Sequence, residues 1–308
     1  MNEENCTEET MPVPEQNIVV VTDSVAQVPT EIARQLGITV LPFTVNIDGQ
    51  PYRDGIDLKP TELYRRMRLE NNLPTTTAAS LGQYKQAFEA CLNTGAQAVL
   101  CVALSNKLSS GYNTATQAAA MVREDFPDRQ IVVLDSLQAT ISQGFVAIAA
   151  ARAAASGKSL PEVRRVAEEA IQHVGFAATL ETLDYLARGG RIGKAAYLLG
   201  SLIKIKPIIT IKNGEVSPVG QVRGDNHALQ AMVDYVSQQV EGHRNLQLAF
   251  MEADAPEQAE RLQEIALQRL QPTEIFHTEF TPVLGVHTGP GLIGLGYFYE
   301  SLIDCLEG

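Results

Sequence analysis

The sequence has no tryptophan, few cysteines and few basic residues for its length of 308 residues. Its four cysteines, at positions 6, 91, 101 and 305, form no CxxC pair and lie in no histidine-rich segment. This spacing argues against a zinc site and against a disulfide framework, and it is typical of reduced thiols in a cytoplasmic protein. No uninterrupted apolar run reaches the length of about 18 residues that a transmembrane helix needs, so we expect no integral membrane segment.

The charge balance is acidic, with 36 Asp and Glu against 24 Lys and Arg and a formal net charge of −12. A protein of this charge lacks the basic footprint of a nucleic-acid binder and is not drawn to anionic lipid surfaces. Residues 1–16 contain five glutamates and no Lys or Arg. This segment has neither the basic start nor the apolar core of a signal peptide, and we interpret it as a disordered acidic tail.

The body of the chain alternates apolar strands with helical segments, and 45% of the sequence is hydrophobic, which is ample for a packed core. Over residues 17–157 this alternation predicts a doubly wound, mostly parallel α/β domain. A boundary is expected near Gly157, where Ser159 and Glu162 form a capping box for the next helix. Residues 158–308 then predict a smaller α+β domain with a mixed sheet, in which Asn213 and Gly214 join two strands of a hairpin.

Polar residues follow the ends of three predicted parallel strands. The first strand ends in Thr22, Asp23 and Ser24, and the third ends in Asp135 and Ser136. The strand between them in the sequence leads through a serine-rich loop to Ser109 and Ser110 at the start of a helix. Ligands bind at the carboxyl ends of the strands in open parallel sheets, and a helix N-terminus favours an anion. These residues therefore indicate a site for a carboxylate or phosphate, although serine is also an ordinary helix cap.

Two further segments resemble known motifs without matching them. The glycine-rich turn at positions 189–194 lacks the Gly and the Ser or Thr that a phosphate-binding P-loop requires at its ends. It still carries Arg188 and Arg191, which form either part of an anion site or a solvated basic turn. His287 stands alone, with no second His or Cys nearby in sequence, so a structural histidine is the ordinary interpretation and no metal is expected.

Nine segments in order resemble the DegV family of bacterial fatty-acid-binding proteins. They span most of the body and comprise 21–24 with Pro29, 41–42, 52–55, 76–80, 104–112, 134–136, 183–194, 205–208 and 287–291. Two segments depart from the family pattern. Thr77-Ala78-Ala79 stands where the family usually has Ser-Gln-Pro, and Ser110-Gly111 stands where it usually has Gly-Thr.

The resemblance implies two α/β domains that hold one long-chain fatty acid, such as palmitate, between them. Its carboxylate is expected at Thr76, Ser109, Ser110 and His287. The segment 22–24, together with Arg188 and Arg191, is expected around the head group. In such a protein the fatty acid is presented to an ATP-dependent fatty acid kinase, and the acyl phosphate feeds phospholipid synthesis. No cofactor, no metal and no turnover of its own are implied.

Two other functions are compatible with the same residues. An enzyme of acyl or phosphoryl transfer or hydrolysis would use Ser109 as nucleophile and His287 as base. It would lack an acidic partner near His287 and the G-x-S-x-G elbow of an α/β-hydrolase. A module for protein interaction alone would leave the hydroxyls at the strand ends without a purpose.

Overall fold

A computed structural model describes residues 17–69, 73–199 and 205–300. Its strands are β1 (Ile18–Asp23), β2 (Thr39–Leu41), β3 (Thr44–Ile47), β4 (Gln50–Arg53), β5 (Thr75–Thr77), β6 (Ala98–Ala103), β7 (Gln130–Asp135), β8 (Val174–Thr179), β9 (Ile205–Lys212), β10 (Glu215–Arg223), β11 (Arg244–Glu252), β12 (Glu274–Glu279) and β13 (Ile293–Glu300). Its α-helices are α1 (Thr30–Gln35), α2 (Pro60–Leu69), α3 (Leu81–Asn93), α4 (Gly111–Asp125), α5 (Thr140–Ala155), α6 (Leu160–His173), α7 (Asp184–Arg188), α8 (Asp225–Gln239), α9 (Pro256–Leu267) and α10 (Pro282–Thr288).

The N-terminal half contains a four-stranded parallel sheet in the order β2-β1-β6-β7. Every residue of β6 is buried, which explains why this strand is an unbroken apolar run. The carboxyl ends of β1, β6 and β7 point to one edge of the sheet. The polar segments that follow these strands therefore meet there, as the sequence predicts.

The N-terminal half also contains a smaller antiparallel sheet, in the order β4-β3-β5. Asp48 and Gly49 form the two-residue turn between β3 and β4, with φ of 50° and 80°. These positive φ values favour an Asp-Gly dipeptide, which explains the tight hairpin at this position. The short strand β5 pairs with β3 so that Thr76 lies opposite Val45.

The C-terminal half forms a six-stranded mixed sheet in the order β10-β9-β8-β13-β11-β12. Asn213 and Gly214 turn the chain between β9 and β10 with φ of 54° and 81°. β11 and β12 are parallel, whereas β13 runs antiparallel to both of its neighbours. The prediction of a two-domain α/β protein with a parallel and a mixed sheet is confirmed.

Helix α5 lies between the four-stranded parallel sheet and the six-stranded mixed sheet, and it contacts β1, β8 and β13. It is apolar on nearly every side, as a helix covered all round must be, and 12 of its 16 residues are buried. Phe145 packs edge-on against Phe276 and stacks with Phe298. Gly144 allows the helix to approach the carbonyl of Ala26 in the N-terminal domain.

Several hydrogen bonds and an ion pair join the two halves around the same region. Tyr64 donates its hydroxyl hydrogen to the carbonyl of Phe280 at 3.0 Å. Ser105 donates to the carbonyl of Gly214 at 2.8 Å, and the neighbouring Lys107 pairs with the carboxylate of Glu215. The tip of the β9–β10 hairpin is thereby held against the loop that follows β6.

The capping box of Ser159 and Glu162 is present at the start of α6. The domain boundary at residue 157 stays a prediction. The tail proposed for residues 1–16 and two of the cysteines, at positions 6 and 305, lie outside the described residues. Cys91 and Cys101 are buried and form no disulfide. Among the helices of the described ranges, none is long and apolar enough to cross a membrane.

Candidate functional site

A cavity of about 230 Å³ lies between the two domains, at the carboxyl edge of the parallel sheet. Its wall is mostly apolar and draws on the parallel sheet's loops, the mixed sheet and α10. The apolar lining is Val25, Phe43, Ala78, Leu104, Leu108, Ala139, Phe176, Leu186, Ile209, Ile211, Val216, Phe280, Val283, Leu284 and Leu292. The polar lining is Thr76, Thr77, Ser109, Ser110, Thr140, Arg191, His287 and Thr288. A concave, mostly apolar wall with a few polar groups is typical of a small-molecule site.

Ser109 and Ser110 lie in the loop between β6 and α4. The Oγ of Ser109 accepts a hydrogen bond from the backbone N–H of Gly111 at 3.2 Å, so its own hydroxyl hydrogen stays available for a ligand. Ser110 is exposed and makes no side-chain cap to the helix that follows it. The ordinary N-cap explanation of this serine is therefore wrong, because its side chain does not bond the first turn of α4.

Thr76 and His287 meet across the domains. The Oγ1 of Thr76, on β5, lies 2.7 Å from Nε2 of His287, on α10. Burial, with a smaller contribution from the Arg191 guanidinium, lowers the pKa of His287 to about 4. The imidazole is therefore neutral near pH 7 and carries a single N–H.

The position of that N–H decides what Thr76 can do. Nδ1 of His287 is buried without a hydrogen-bond partner among the described residues, and Gly189 packs against it. An N–H at Nδ1 would be a buried donor left unpaired, which is costly. The proton is better placed on Nε2, where it donates to Thr76. The threonine hydroxyl hydrogen is then available to donate to a ligand.

The two arginines of the basic turn have different surroundings. Arg191 lines the cavity, and its Nε donates to the carbonyl of Leu108 at 3.0 Å while Nη1 donates to the carbonyl of Gly189 at 2.6 Å. These contacts hold a guanidinium beside the Ser109 loop. Arg188 is exposed at the end of α7 and is not part of the cavity wall. The structure thus brings Arg191, but not Arg188, to the site.

The segment 22–24 braces the strand ends and is not part of the cavity wall. Asp23 is buried and accepts hydrogen bonds from the backbone N–H groups of Val25 and Leu104 and from Nε2 of Gln143. Burial raises the pKa of Asp23 to about 6, although these hydrogen bonds act in the opposite direction. Its placement around the head group stays a prediction that no described contact supports.

Asp54 contributes to the site in a way that the sequence analysis missed. It is buried, and its Oδ1 accepts a hydrogen bond from the backbone N–H of Val283 at 2.9 Å, at the start of α10. This contact ties the helix that carries His287 to the N-terminal half. An Asp followed by a Gly is ordinarily an exposed turn residue, so the sequence predicts neither the burial of Asp54 nor its partner. Within the described ranges, no cluster of three metal-ligating side chains occurs.

The chain is similar to known proteins over most of its length. A family model described as "Uncharacterised protein, DegV family" matches residues 17–300. A DegV domain-containing protein of Caldanaerobacter subterraneus is 31% identical over 286 residues, which cover 93% of this chain and 99% of the relative.

Two solved structures are similar throughout. A DegV family protein from Thermus thermophilus, described by its fatty acid binding, has 31% identity and a TM-score of 0.86 over 92% of this chain and 99% of its own. A stearic-acid-binding protein from Eubacterium ventriosum has 28% identity and a TM-score of 0.84 over 91% and 97% of the two chains.

Proposed function

Because this chain belongs to the DegV family, we propose that it binds one long-chain fatty acid, such as palmitate, in the cavity between its domains. The observation that carries the proposal is the combination of an apolar wall with the hydroxyls of Thr76 and Ser109 in the same cavity. Relatives described as binding fatty acids share the fold over most of their length.

The carboxylate is assigned to the polar side of the cavity. Thr76 and Ser109 each have a hydroxyl hydrogen to donate, because other groups already occupy their acceptor positions. Hydrogen bonds to a charged acceptor are stronger than neutral ones, and Arg191 adds a nearby positive charge. His287 acts through Thr76: it is neutral and fixes the direction of the threonine hydroxyl. Ser110 lines the same cavity and is exposed, so we assign it to the solvent side of the head group.

The acyl chain is assigned to the apolar wall. Burying a methylene is worth about 0.8 kcal/mol, so the chain of palmitate has a gross driving force on the order of 10 kcal/mol before ordering costs. A donor pair at one end and an apolar wall along the rest suit an amphiphile with one anionic head. They do not suit a small, fully polar substrate, which would leave the apolar wall without a partner.

We further propose that the bound fatty acid is presented to an ATP-dependent fatty acid kinase, whose acyl phosphate product feeds phospholipid synthesis. This step follows from the family resemblance and would take place in the cytoplasm. We assign Arg188 to contact with the partner, because it is exposed and precedes the cavity-lining Arg191 by three residues in the sequence. A guanidinium there would favour a phosphorylated head group over a carboxylate, since the former carries more charge.

The enzyme alternative is less well supported by the geometry. The Nε2 atom of His287 contacts Thr76, and the Oγ atom of Ser109 accepts a hydrogen bond from Gly111. Among the described residues no carboxylate bonds Nδ1 of His287 to orient it as a base. A serine nucleophile needs both its base and the group that orients that base.

Native mass spectrometry of the purified protein tests the proposal. We expect a retained mass that matches a long-chain fatty acid, and we expect the delipidated protein to melt at a lower temperature. Adding palmitate at a hundredfold excess over Kd should restore about 2.7 kcal/mol of stability. Hexadecanol, which lacks the charge, is the control and should restore less. If palmitate does not raise the melting temperature of the delipidated protein, the proposal is refuted.

A further inference from the structure

The first turn of α5 brings a polar group to the cavity wall that the head-group assignment does not use. Thr140 is the first residue of α5, is only 4% exposed and lines the cavity. Its hydroxyl has no hydrogen-bond partner among the described residues. Buried hydroxyls are nearly always paired, so an unpaired one in a ligand cavity needs an explanation.

The helix terminus around this hydroxyl also lacks a side-chain cap. The N-cap position is Ala139, which lines the cavity and has no side chain that can cap the helix. The first N–H groups of a helix have no acceptor within it, and they give its N-terminus a partial positive charge. Since α5 is 16 residues long, it has a developed N-terminus. The end of α5 therefore offers hydrogen-bond donors to an oxygen atom in the cavity.

The backbone at Thr140 is unusual as well. Its φ is 60°, in the left-handed region that β-branched residues seldom adopt. Strained conformations of this kind persist where the surrounding structure enforces them, and they are common at ligand sites. The backbone passes from the extended Ala139 through this left-handed residue into the helix at the cavity wall.

We propose that Thr140 and the N-terminus of α5 bind a hydroxyl group carried on the acyl chain, so that the cavity accepts hydroxylated fatty acids. Against the apolar part of the cavity wall, burial of a hydroxyl without a partner is unfavourable. At Thr140 it finds a hydroxyl that can both donate and accept. This inference rests on the proposed binding of fatty acids in the same cavity.

The test compares stearate with three monohydroxylated stearates, which carry the hydroxyl near the carboxylate, at mid-chain or near the methyl end. The measured quantity is the ratio of the Kd of each hydroxystearate to that of stearate, so a general change in cavity affinity cancels. For one positional isomer we expect Thr140→Val to raise this ratio by about three- to tenfold, the worth of one neutral hydrogen bond. Thr140→Ser keeps the hydroxyl and should keep the wild-type ratio.

Thr288→Val is the matched control, because Thr288 lines the same cavity and its hydroxyl already donates to the carbonyl of Leu284 at 3.0 Å. Its ratio should not change. Thr140→Gly removes the hydroxyl together with the strain, so it replaces Thr140→Val if that variant does not fold. Equal ratios in wild type and the Thr140 variants for all three isomers would overturn this inference alone. Failure of wild type to bind stearate would overturn the proposed function and this inference with it.

Discussion

Removing the two hydroxyls assigned to the carboxylate is the sharpest test of the site. Thr76→Val preserves the shape of the side chain and deletes the Oγ1 that lies 2.7 Å from Nε2 of His287. Ser109→Ala deletes the Oγ that accepts the N–H of Gly111. Each variant therefore loses one donor to the ligand and one hydrogen bond within the protein.

The magnitude follows from the charge of the acceptor. A hydrogen bond to a charged group contributes about 1.5–3 kcal/mol, which corresponds to roughly 10- to 150-fold in the Kd for palmitate. Binding should weaken without vanishing, because the acyl chain keeps its apolar contacts. The double variant should lose less than the sum of the two free energies, since both hydroxyls serve one anion.

Isothermal titration of delipidated protein with palmitate measures these losses. Hexadecanol binding should fall less in both variants, because an alcohol lacks the charge that strengthens the hydrogen bonds. Thr75→Val is a matched control: Thr75 lies on the same short strand, is exposed and is not part of the cavity wall. Melting temperatures of all variants separate loss of folding from loss of binding.

Two results would refute this reasoning. Unchanged palmitate affinity in both variants would show that the carboxylate lies elsewhere. Intact palmitate affinity combined with loss of turnover of some substrate in Ser109→Ala would instead support the enzyme alternative.

Three further predictions concern other parts of the chain. Deleting residues 1–16 should leave palmitate affinity and melting temperature unchanged, because an acidic segment with few apolar residues adds little to a hydrophobic core. A drop of several degrees in the melting temperature would show that this segment packs on the rest of the protein. The pKa of His287 is about 4 in the folded protein and 6.5 in the unfolded chain, so the wild type loses stability as the pH falls below 6.5. A glutamine at this position does not titrate. His287→Gln should therefore destabilise the ligand-free protein less at pH 5 than at pH 7.5, by about 2 kcal/mol. Urea unfolding at both pH values checks this, and a pH-independent difference between variant and wild type would contradict it. Arg188→Glu should reduce phosphorylation of the bound fatty acid by a purified kinase and leave palmitate affinity unchanged. Arg191→Glu should reduce palmitate affinity, because the Arg191 guanidinium lies in the cavity wall. The reverse pattern would exchange the roles of the two arginines.

Local signals in the sequence determined much of the architecture. Unbroken apolar runs such as β6 predict strands covered on both faces. Asp48-Gly49 and Asn213-Gly214 predict tight hairpins, because these residues tolerate positive φ.

The sequence analysis missed β5, α10 and β13. β5 has only three residues, and β13 contains Gly294 and Gly296, which weaken its strand pattern. A Cβ at Gly296 would lie 2.5 Å from the side chain of Ile141, so that glycine is required by α5 and not by the strand itself.

The sequence by itself also determined which residue types are available to an anion and an apolar chain, since hydroxyls after strand ends and a basic turn are visible in it. Only the tertiary structure decided which of them meet. Thr76 and His287 are 211 positions apart and come together because β5 and α10 pack across the two domains. The same packing buries His287 and keeps it neutral, and it gives Asp23 the hydrogen bond to Leu104 that joins the ends of β1 and β6. Burial and partners of this kind depend on long-range packing, which no local pattern in the sequence records.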